Sequence, residues 1–224
     1  MEGRFDKVYD HSYWKYDFIV NLFQLGRDQL HRTRALKLAG LKKGDNVLDI
    51  CCGSGLSLEP IQSIIGPEGS ILAIDANEKM LSIARKRAEK HHWKNIRFIQ
   101  GDIRDFHTDQ NADFAFFALC WYDPLIGAQW IKQVGHYLKP GKGILCFIDY
   151  KYPENWLKNI ANPVLKLTVS WLGESYSVED LKWEPLIEIG SLLDKPEFQT
   201  VYLDSLFVLW GKQKTFEDGP DQTA

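Results

Sequence analysis

The sequence predicts one α/β domain built on a seven-stranded, mainly parallel sheet, with helices on both faces and an antiparallel hairpin near the carboxyl end. Between residues 41 and 150, short apolar runs alternate with longer amphipathic stretches, a pattern typical of consecutive β-α-β units. Beyond Tyr150, two strand-like runs flank an Asp204-Ser205 turn. The 224 residues suffice for one sizeable core, but not for two full enzyme domains.

The five predicted parallel strands are rich in Val, Ile, Leu or Phe and are bounded by turn residues. They cover residues 46–50, 70–74, 96–100, 112–118 and 143–148, and the hairpin strands cover 198–202 and 206–210. Helical periodicity is predicted over residues 56–65, 77–91, 124–138 and 177–194. Asn77 is a natural N-cap, and Ser177 and Asp180 stand at capping-box spacing.

Composition and charge narrow the class of protein. A formal net charge of -3 gives no basic field for nucleic acid, so no nucleic-acid partner is expected. The first ten residues lack the apolar stretch of a secretory signal, and no run of about 18 apolar residues occurs, so a cytoplasmic protein is expected. The cysteines lack the spacing of a zinc site, so no metal site is expected, and all four are expected to be free thiols. They are Cys51, Cys52, Cys120 and Cys146.

The stretch from Val47 to Gly55 combines a buried strand, the acidic Asp49 and a glycine-containing turn that opens a helix. Gly53 and Gly55 allow backbone angles closed to other residues and let a ligand approach the main chain. Such glycines also serve tight turns that bind nothing. A dinucleotide site requires glycine or alanine where this chain has Leu58, which disfavours a pyrophosphate ligand.

Two further strand ends carry carboxylates. Asp75 ends the second strand, where a carboxylate can accept hydrogen bonds from both hydroxyls of a ribose. The triplet Gly101-Asp102-Ile103 follows the third strand. Each acidic residue alone also fits an ordinary turn, but open α/β sheets bind ligands at this carboxyl edge. Together, three strand ends in register are harder to attribute to turns alone and favour a ligand site at this edge.

Four motifs in order resemble those of class I S-adenosylmethionine-dependent methyltransferases. They are Val-Leu-Asp-x-x-Cys-Gly-Ser-Gly at 47–55, Ile-Asp-x-x-x-x-Met-Leu at 74–81, Gly-Asp-Ile at 101–103 and Leu-Lys-Pro-Gly-Lys-Gly at 138–143. Tyr9-(x)6-Tyr16-Asp17 and Leu25-Gly26 with His31-Arg32 are similar to the branch of ubiquinone/menaquinone-biosynthesis C-methyltransferases and bacterial phospholipid N-methyltransferases. The resemblance implies a Rossmann-like fold and S-adenosyl-L-methionine as cofactor.

The resemblance also implies the cofactor-binding residues. Asp49, Cys51, Gly53 and Gly55 would surround the methionine part, Asp75 the ribose, and Asp102 and Ile103 the adenine, with Leu119 beside the methionine part, Ala76 and Met80 nearby, and Tyr9 and Tyr16 covering the cofactor. Cys51 departs from the family pattern, because many members carry glycine there.

The predicted organisation of residues 1–214 is a helical lid at 1–40, a cofactor-binding core at 41–150, a substrate-covering insert at 151–176, and a helix and hairpin at 177–214. Residues 215–224 are predicted to be a disordered tail. Aromatic residues of the lid, the insert and the segment after the fourth strand are candidate acceptor-binding residues that would cage a cationic amine. The alternative is that these rings only pack the insert onto the sheet. They are Tyr13, Trp14, Trp121, Tyr122 and Trp156.

The expected acceptor is small or amphipathic: an amine-bearing molecule or lipid headgroup methylated at nitrogen, or a quinone-like ring methylated at carbon. Basic residues at 27–43 predict either peripheral contact with an anionic membrane or a solvated helix face. No catalytic residue is assigned, although Asp123, His11, Tyr122 and Asp149 are candidate bases. A non-catalytic scaffold and a nucleotide-dependent oxidoreductase are the alternatives, the latter lacking its Tyr-x-x-x-Lys pair.

Overall fold

A computed structural model describes residues 17, 21–22, 24–109, 111–120, 124–151, 187, 189–202 and 204–214, with backbone only at 124–128. The predicted tail at 215–224, nearly all of the insert and residues 177–186 of the predicted helix lie outside these ranges. No helix within them is long and apolar enough to span a membrane.

The described ranges form seven strands and four α-helices. The strands are β1 (Asn46–Ile50), β2 (Ser70–Asp75), β3 (Ile96–Gln100), β4 (Phe114–Ala118), β5 (Ile144–Tyr150), β6 (Leu193–Tyr202) and β7 (Leu206–Gln213). The helices are α1 (Asp28–Leu38), α2 (Leu58–Ile65), α3 (Glu78–Lys90) and α4 (Pro124–Gly135).

The strands form one sheet in the order β3-β2-β1-β4-β5-β7-β6. β1 to β5 are parallel to their neighbours in the sheet, whereas β7 runs antiparallel to β5 and to β6. Helical crossovers join β1 to β2, β2 to β3 and β4 to β5. The chain leaves β1 toward β2 on one side and later returns to β4 on the other. This reversal is the topological switch point, where open α/β sheets bind ligands. The predicted fold class is confirmed.

Each face of the sheet carries its own apolar core. On the first face, Leu36 of α1, Ile61 of α2 and Leu81 of α3 pack around Val47 of β1. The second face is covered by α4, and its apolar residues form a cluster that we call the second core. It includes Leu48, Ile50, Phe117, Ile131, Val134 and Leu145. Because side chains alternate along a strand, β1 contributes to both cores.

The start of the hairpin differs from the sequence prediction. The helix predicted over 177–194 does not reach Asp194: Gly190–Leu192 form a 3-10 turn, and β6 already begins at Leu193. Register shifts occur between Asp194 and Glu197, where Lys195 has a φ of 48°. Pro196 cannot donate to a ladder, so the strand continues only through a bulge, which hides it from a period-two pattern.

Candidate functional site

The turn after β1 is held in left-handed backbone geometry. Cys51, Gly53 and Gly55 have φ values of 54°, 55° and 81°. The Cys52 N–H donates to the Ile74 carbonyl at 3.0 Å, which fastens the turn to the end of β2. The left-handed geometry explains why glycine suits position 51, since a residue with a Cβ costs about 1–2 kcal/mol there.

The two glycines of the turn serve different purposes. A Cβ on Gly55 would lie 2.7 Å from Leu58 Cδ1 and 3.0 Å from Ala84 Cβ, so no side chain fits between the turn and α3. A Cβ on Gly53 would meet Met80 Cε at 3.5 Å, an ordinary contact. Both glycines have left-handed backbone angles, but Gly55 is also needed for close packing, whereas Gly53 leaves the turn open to a ligand.

Asp75 links the ends of β1 and β2. Its Oδ2 accepts from the Gly53 N–H at 2.8 Å, and its Oδ1 accepts from the Asn77 N–H at 2.9 Å. Burial raises the pKa of this carboxyl. Each oxygen of a carboxylate can accept two hydrogen bonds, so one position on each remains for a ligand hydroxyl. The geometry fits a ribose.

Asp49 lies beneath the turn with only 1 % of its surface exposed. Within the described part of the chain, neither of its carboxylate oxygens has a hydrogen-bond partner. Burial raises its pKa to about 7, although Arg32 acts in the opposite direction. Because a buried carboxylate without a partner is costly, this group is suited to a cationic ligand such as an ammonium.

The other predicted cofactor residues that the structure describes follow the strands at the same edge. The Asp102 carboxylate accepts from Arg104 Nε at 2.9 Å, and this contact lowers its pKa. The Gly101 N–H donates to the Asp75 carbonyl at 3.0 Å, which joins the ends of β3 and β2. Ile103 and Met80 are buried, whereas Ala76 is exposed. Leu119 is buried after β4, with a φ of 53°.

Several sequence-predicted site residues lie outside the described ranges. They are Tyr9, His11, Tyr13, Trp14, Tyr16, Trp121, Tyr122, Asp123 and Trp156. Asp149 is described: it is part-buried at the end of β5, and burial raises its pKa to about 7. The N–H of Leu119, just after β4, donates to the Ile148 carbonyl at 2.8 Å. Asp149 follows Ile148 directly and therefore lies next to the end of β4.

Sequence reasoning missed a contact between the amino-terminal segment and the turn. The Ser54 hydroxyl lies 2.8 Å from each oxygen of the Asp17 carboxylate, and Arg87 approaches that carboxylate at 3.8 Å. Arg87 Nε also donates to the Ser54 carbonyl at 3.2 Å. The available signal is the acidic residue that directly follows Tyr16 in the sequence.

A buried cation was missed as well. Arg32 is only 4 % exposed, and its Nε donates to Asp28 at 2.8 Å while its Nη1 donates to the Ser57 hydroxyl at 2.7 Å. Gln24 Nε2 donates to Asp28 at 3.1 Å and to the Tyr150 hydroxyl at 3.2 Å. The prediction that the basic residues at 27–43 face solvent or lipid is therefore wrong for Arg32, because α1 packs it against the turn.

Two of the four cysteines are not free. Cys51 and Cys120 form a disulfide with their Cα atoms 5.9 Å apart, whereas Cys52 and Cys146 are free and buried. The prediction of four free thiols is wrong for the bonded pair. The two residues are 69 positions apart, and only the pairing of β1 with β4 brings them together.

Solved structures share this architecture. An S-adenosylmethionine-dependent methyltransferase from Aquifex aeolicus superposes with a TM-score of 0.63 at 22% identity, over 87% of this chain and 96% of that one. A candidate S-adenosyl-L-methionine-dependent methyltransferase from Methanococcus maripaludis gives 0.65 at 17% identity, over 97% and 98%. The fold is thus the one found in methyltransferases of this class.

Sequence comparison gives the family. The model of the ubiE/COQ5 methyltransferase family matches residues 1–161, and this chain belongs to that family. Demethylmenaquinone methyltransferases from Staphylococcus carnosus (strain TM300) and Staphylococcus aureus (strain JH9) are 29% and 27% identical over 143 residues. Each match covers 62% of this chain and 58% of the relative, so it spans less than two thirds of the relative's length.

Proposed function

We propose that this chain transfers a methyl group from S-adenosyl-L-methionine to a small or amphipathic acceptor. The observation that carries the proposal is the pairing of two carboxylates with an open turn. Asp49 is buried in β1, just before the turn, without a hydrogen-bond partner among the described residues, and Asp75 retains acceptor positions beside Gly53. An adenosyl group attached to an amino acid requires these features: a carboxylate for the ribose, and an anion for the ammonium. Membership of a methyltransferase family supports the assignment.

Each residue at this edge would contact a different part of the cofactor. Asp75 would bind the ribose hydroxyls, and Asp49 the ammonium group, with the backbone of Cys51, Gly53 and Gly55 around the methionine part. Asp102 and Ile103 would lie against the adenine, where Asp102 shares its carboxylate with Arg104. Ala76, Met80 and Leu119 would complete the walls, and Tyr9 and Tyr16 would cover them.

When bound, the cofactor supplies an electrophilic methyl group on a sulfonium sulfur. The contribution of the protein is then mainly to orient the acceptor in line with that methyl group and to exclude water, and orientation supplies about 7–11 kcal/mol in favourable systems. A ring carbon or phenol must also lose a proton. Asp149 is the described carboxyl suited to accept it, since its pKa of about 7 lies near neutral pH.

We infer a quinone-like ring as the acceptor, methylated at carbon. The support is the naming of the Staphylococcus relatives as demethylmenaquinone methyltransferases. The aromatic residues at 13, 14, 121, 122 and 156 would line the acceptor pocket. Nitrogen methylation of an amine-bearing lipid is the competing outcome.

Cofactor binding is tested by calorimetry with S-adenosylmethionine and its demethylated product, S-adenosylhomocysteine. We expect binding at sub-millimolar ligand. Asp75→Ala should weaken it by about 1–3 kcal/mol, the loss of a charge-assisted hydrogen bond. The exposed Asp109→Ala is the matched control and should bind as the wild type does. No binding by the wild-type protein contradicts the proposed function.

Asp75→Ala also removes two hydrogen bonds to the backbone of the turn, so its effect must be separated from loosening of the turn. A cofactor analogue without the ribose 2′-hydroxyl achieves this. If Asp75 binds the ribose, the substitution weakens binding of the analogue less than binding of S-adenosylhomocysteine. An equal loss for both ligands would mean that Asp75 only holds the turn.

Transfer of an isotopically labelled methyl group then identifies the acceptor. A naphthoquinol without its ring methyl and a phosphatidylethanolamine are offered separately, and the product is analysed for the labelled bond. Label on the ring carbon supports the quinone assignment, and label on nitrogen overturns it. Cofactor binding without transfer to any acceptor screened would favour a non-catalytic scaffold.

A further inference from the structure

The Cys51–Cys120 disulfide lies at the proposed cofactor-binding edge. Cys51 follows β1 directly, Cys120 follows Leu119 just beyond β4, and the two strands are paired up to Ile50 and Phe117. Both cysteines pack on the second core from the edge of the sheet. The bridge therefore joins the turn that would hold the methionine part to the segment proposed as its wall.

The four cysteines differ in their access to solvent. Cys51 and Cys120 are part-exposed, whereas Cys52 and Cys146 are buried, and burial raises the pKa of both of these thiols. Exchange with a small disulfide requires access and a thiolate. The bonded pair is thus the reactive pair, and the two buried thiols serve as internal controls.

The backbone on both sides of the bridge is in the left-handed region. Cys51 has a φ of 54°, and Leu119, next to Cys120, has a φ of 53°. Residues other than glycine keep such angles only where their surroundings determine them. The bridge is one covalent constraint on both segments, so breaking it releases a restraint at the edge where the ligand would bind.

We propose that Cys51 and Cys120 form a reversible thiol–disulfide site at this edge, with a low-molecular-weight disulfide as oxidant and its thiol as reductant. In the oxidising direction, the thiolate of one cysteine attacks the small disulfide, forms a mixed disulfide and releases one small thiolate. The second cysteine then attacks the protein sulfur of that mixed disulfide and releases the second. The protein pair loses two electrons and two protons, and the small disulfide takes them up as two thiols.

The bridged state should bind cofactor more tightly, a consequence that rests on the proposed function. With the bridge formed, the turn and the Leu119 segment are already ordered, so less conformational entropy is lost on binding. We expect the dissociation constant of S-adenosylhomocysteine to be about threefold to tenfold lower for the oxidised protein. By linkage, the ligand must then lower the midpoint potential of the pair, by about 30 mV for a tenfold difference.

The redox site is tested first without cofactor. The full chain is equilibrated in buffers of reduced and oxidised glutathione, quenched with acid, alkylated and analysed by peptide mass spectrometry. We expect one two-electron transition in which Cys51 and Cys120 change together. A Cys52→Ala/Cys146→Ala variant should keep the same midpoint potential. If that variant does not fold, the wild-type titration alone decides the proposal. Alkylation of both cysteines at every potential, or bridging through Cys52, overturns the proposal.

The link to the cofactor is tested by calorimetry with S-adenosylhomocysteine on the oxidised and the reduced protein. Tighter binding to the oxidised form, with a lower midpoint potential in saturating ligand, supports the proposal. Equal affinity, or tighter binding to the reduced form, overturns the link. Absence of binding in both states contradicts the proposed function but leaves the glutathione titration standing, so the two failures are distinguishable.

Discussion

Two carboxyl groups at the ends of the central strands are buried enough to change their chemistry. Burial raises the pKa of Asp49 and of Asp149 to about 7, and Arg32 partly offsets that effect at both. The same burial that destabilises the Asp49 carboxylate would strengthen its attraction to the ammonium group under the proposed function. Ligand binding and folding stability would then place opposite demands on this side chain.

Asp49 should make the stability of the protein depend on pH. Its pKa is about 7 in the folded chain and near 3.8 when unfolded, so the folded state holds a proton that the unfolded state releases. This contribution is fully present below about pH 4 and is lost as the pH rises to about 7, with a slope of at most about 1.4 kcal/mol per pH unit. Asp49→Asn should remove it.

The measurement is urea unfolding of wild type and Asp49→Asn at pH 5 and pH 8. We expect the variant to gain stability relative to wild type on going from pH 5 to pH 8. Asp109→Asn, at an exposed position, controls for the general effect of removing a carboxylate. A difference between wild type and variant that stays the same at both pH values would contradict the raised pKa.

The turn after β1 is stabilised by its neighbours. α3 approaches closely at Gly55, and the amino-terminal segment reaches the turn through Asp17. Neither contact follows from the local sequence alone. Each can be tested by one substitution whose effect differs from that of its control.

Gly55→Ala should destabilise the fold. The new Cβ would lie 3.2 Å from the Ala84 Cα, a backbone atom that cannot move aside cheaply, and the residue would also be held at a φ of 81°. We expect a loss of about 1–3 kcal/mol in urea unfolding. Gly53→Ala meets only an ordinary contact and should lose less stability, yet bind S-adenosylhomocysteine more weakly. Equal destabilisation by the two variants would contradict the different roles of the glycines.

Asp17→Asn should weaken cofactor binding without unfolding the protein. The substitution removes the charge that faces Arg87 and one of the two acceptors of the Ser54 hydroxyl, so residue 17 holds the turn less firmly. We expect a dissociation constant for S-adenosylhomocysteine that is about fivefold higher, equivalent to about 1 kcal/mol. Ser54→Ala should act on the same contact, so the two effects should not add.

The control for this pair is Glu78→Gln, which disrupts the exposed ion pair between Glu78 and Arg85 on α3. Its affinity should match that of wild type, because exposed pairs contribute little. Additive effects of Asp17→Asn and Ser54→Ala would show that the two residues act independently.

Across the whole molecule, the features that can be predicted from the sequence are those that local residue patterns determine. The parallel strands follow from their apolar runs, and the turn at 51–55 and Asp75 follow from a strand-end motif. The Cys51–Cys120 bridge, the burial of Arg32 and the Asp17–Ser54 contact depend on which strands and helices become neighbours in space. The spacing of residues in the sequence does not determine which elements become neighbours. In the same way, the bulge at Pro196 breaks the alternating pattern that would have marked the start of β6.

Exposed basic residues and exposed leucines lie close together in the sequence around α1. The net charge is -3, yet exposed basic residues occupy α1 and its flanks, beside leucines that are more than half exposed. These residues are Leu22, Leu25, Leu30, Arg27, Arg34 and Lys37. We propose that this patch makes peripheral contact with an anionic lipid surface, where each basic residue would contribute about 1 kcal/mol.

We therefore expect the full chain to co-sediment with phosphatidylglycerol vesicles more strongly than with phosphatidylcholine vesicles, and less strongly as salt is raised. Leu25→Ser should lower the partition coefficient about fivefold to tenfold by removing apolar surface from the contact. Ile187→Ser is the matched control, because Ile187 is 69% exposed but lies outside this patch in the sequence. Equal partition into both kinds of vesicle, or an equal effect of the two substitutions, would show that these leucines do not face lipid. An amphipathic acceptor would then have to reach its site without contact between this patch and a membrane.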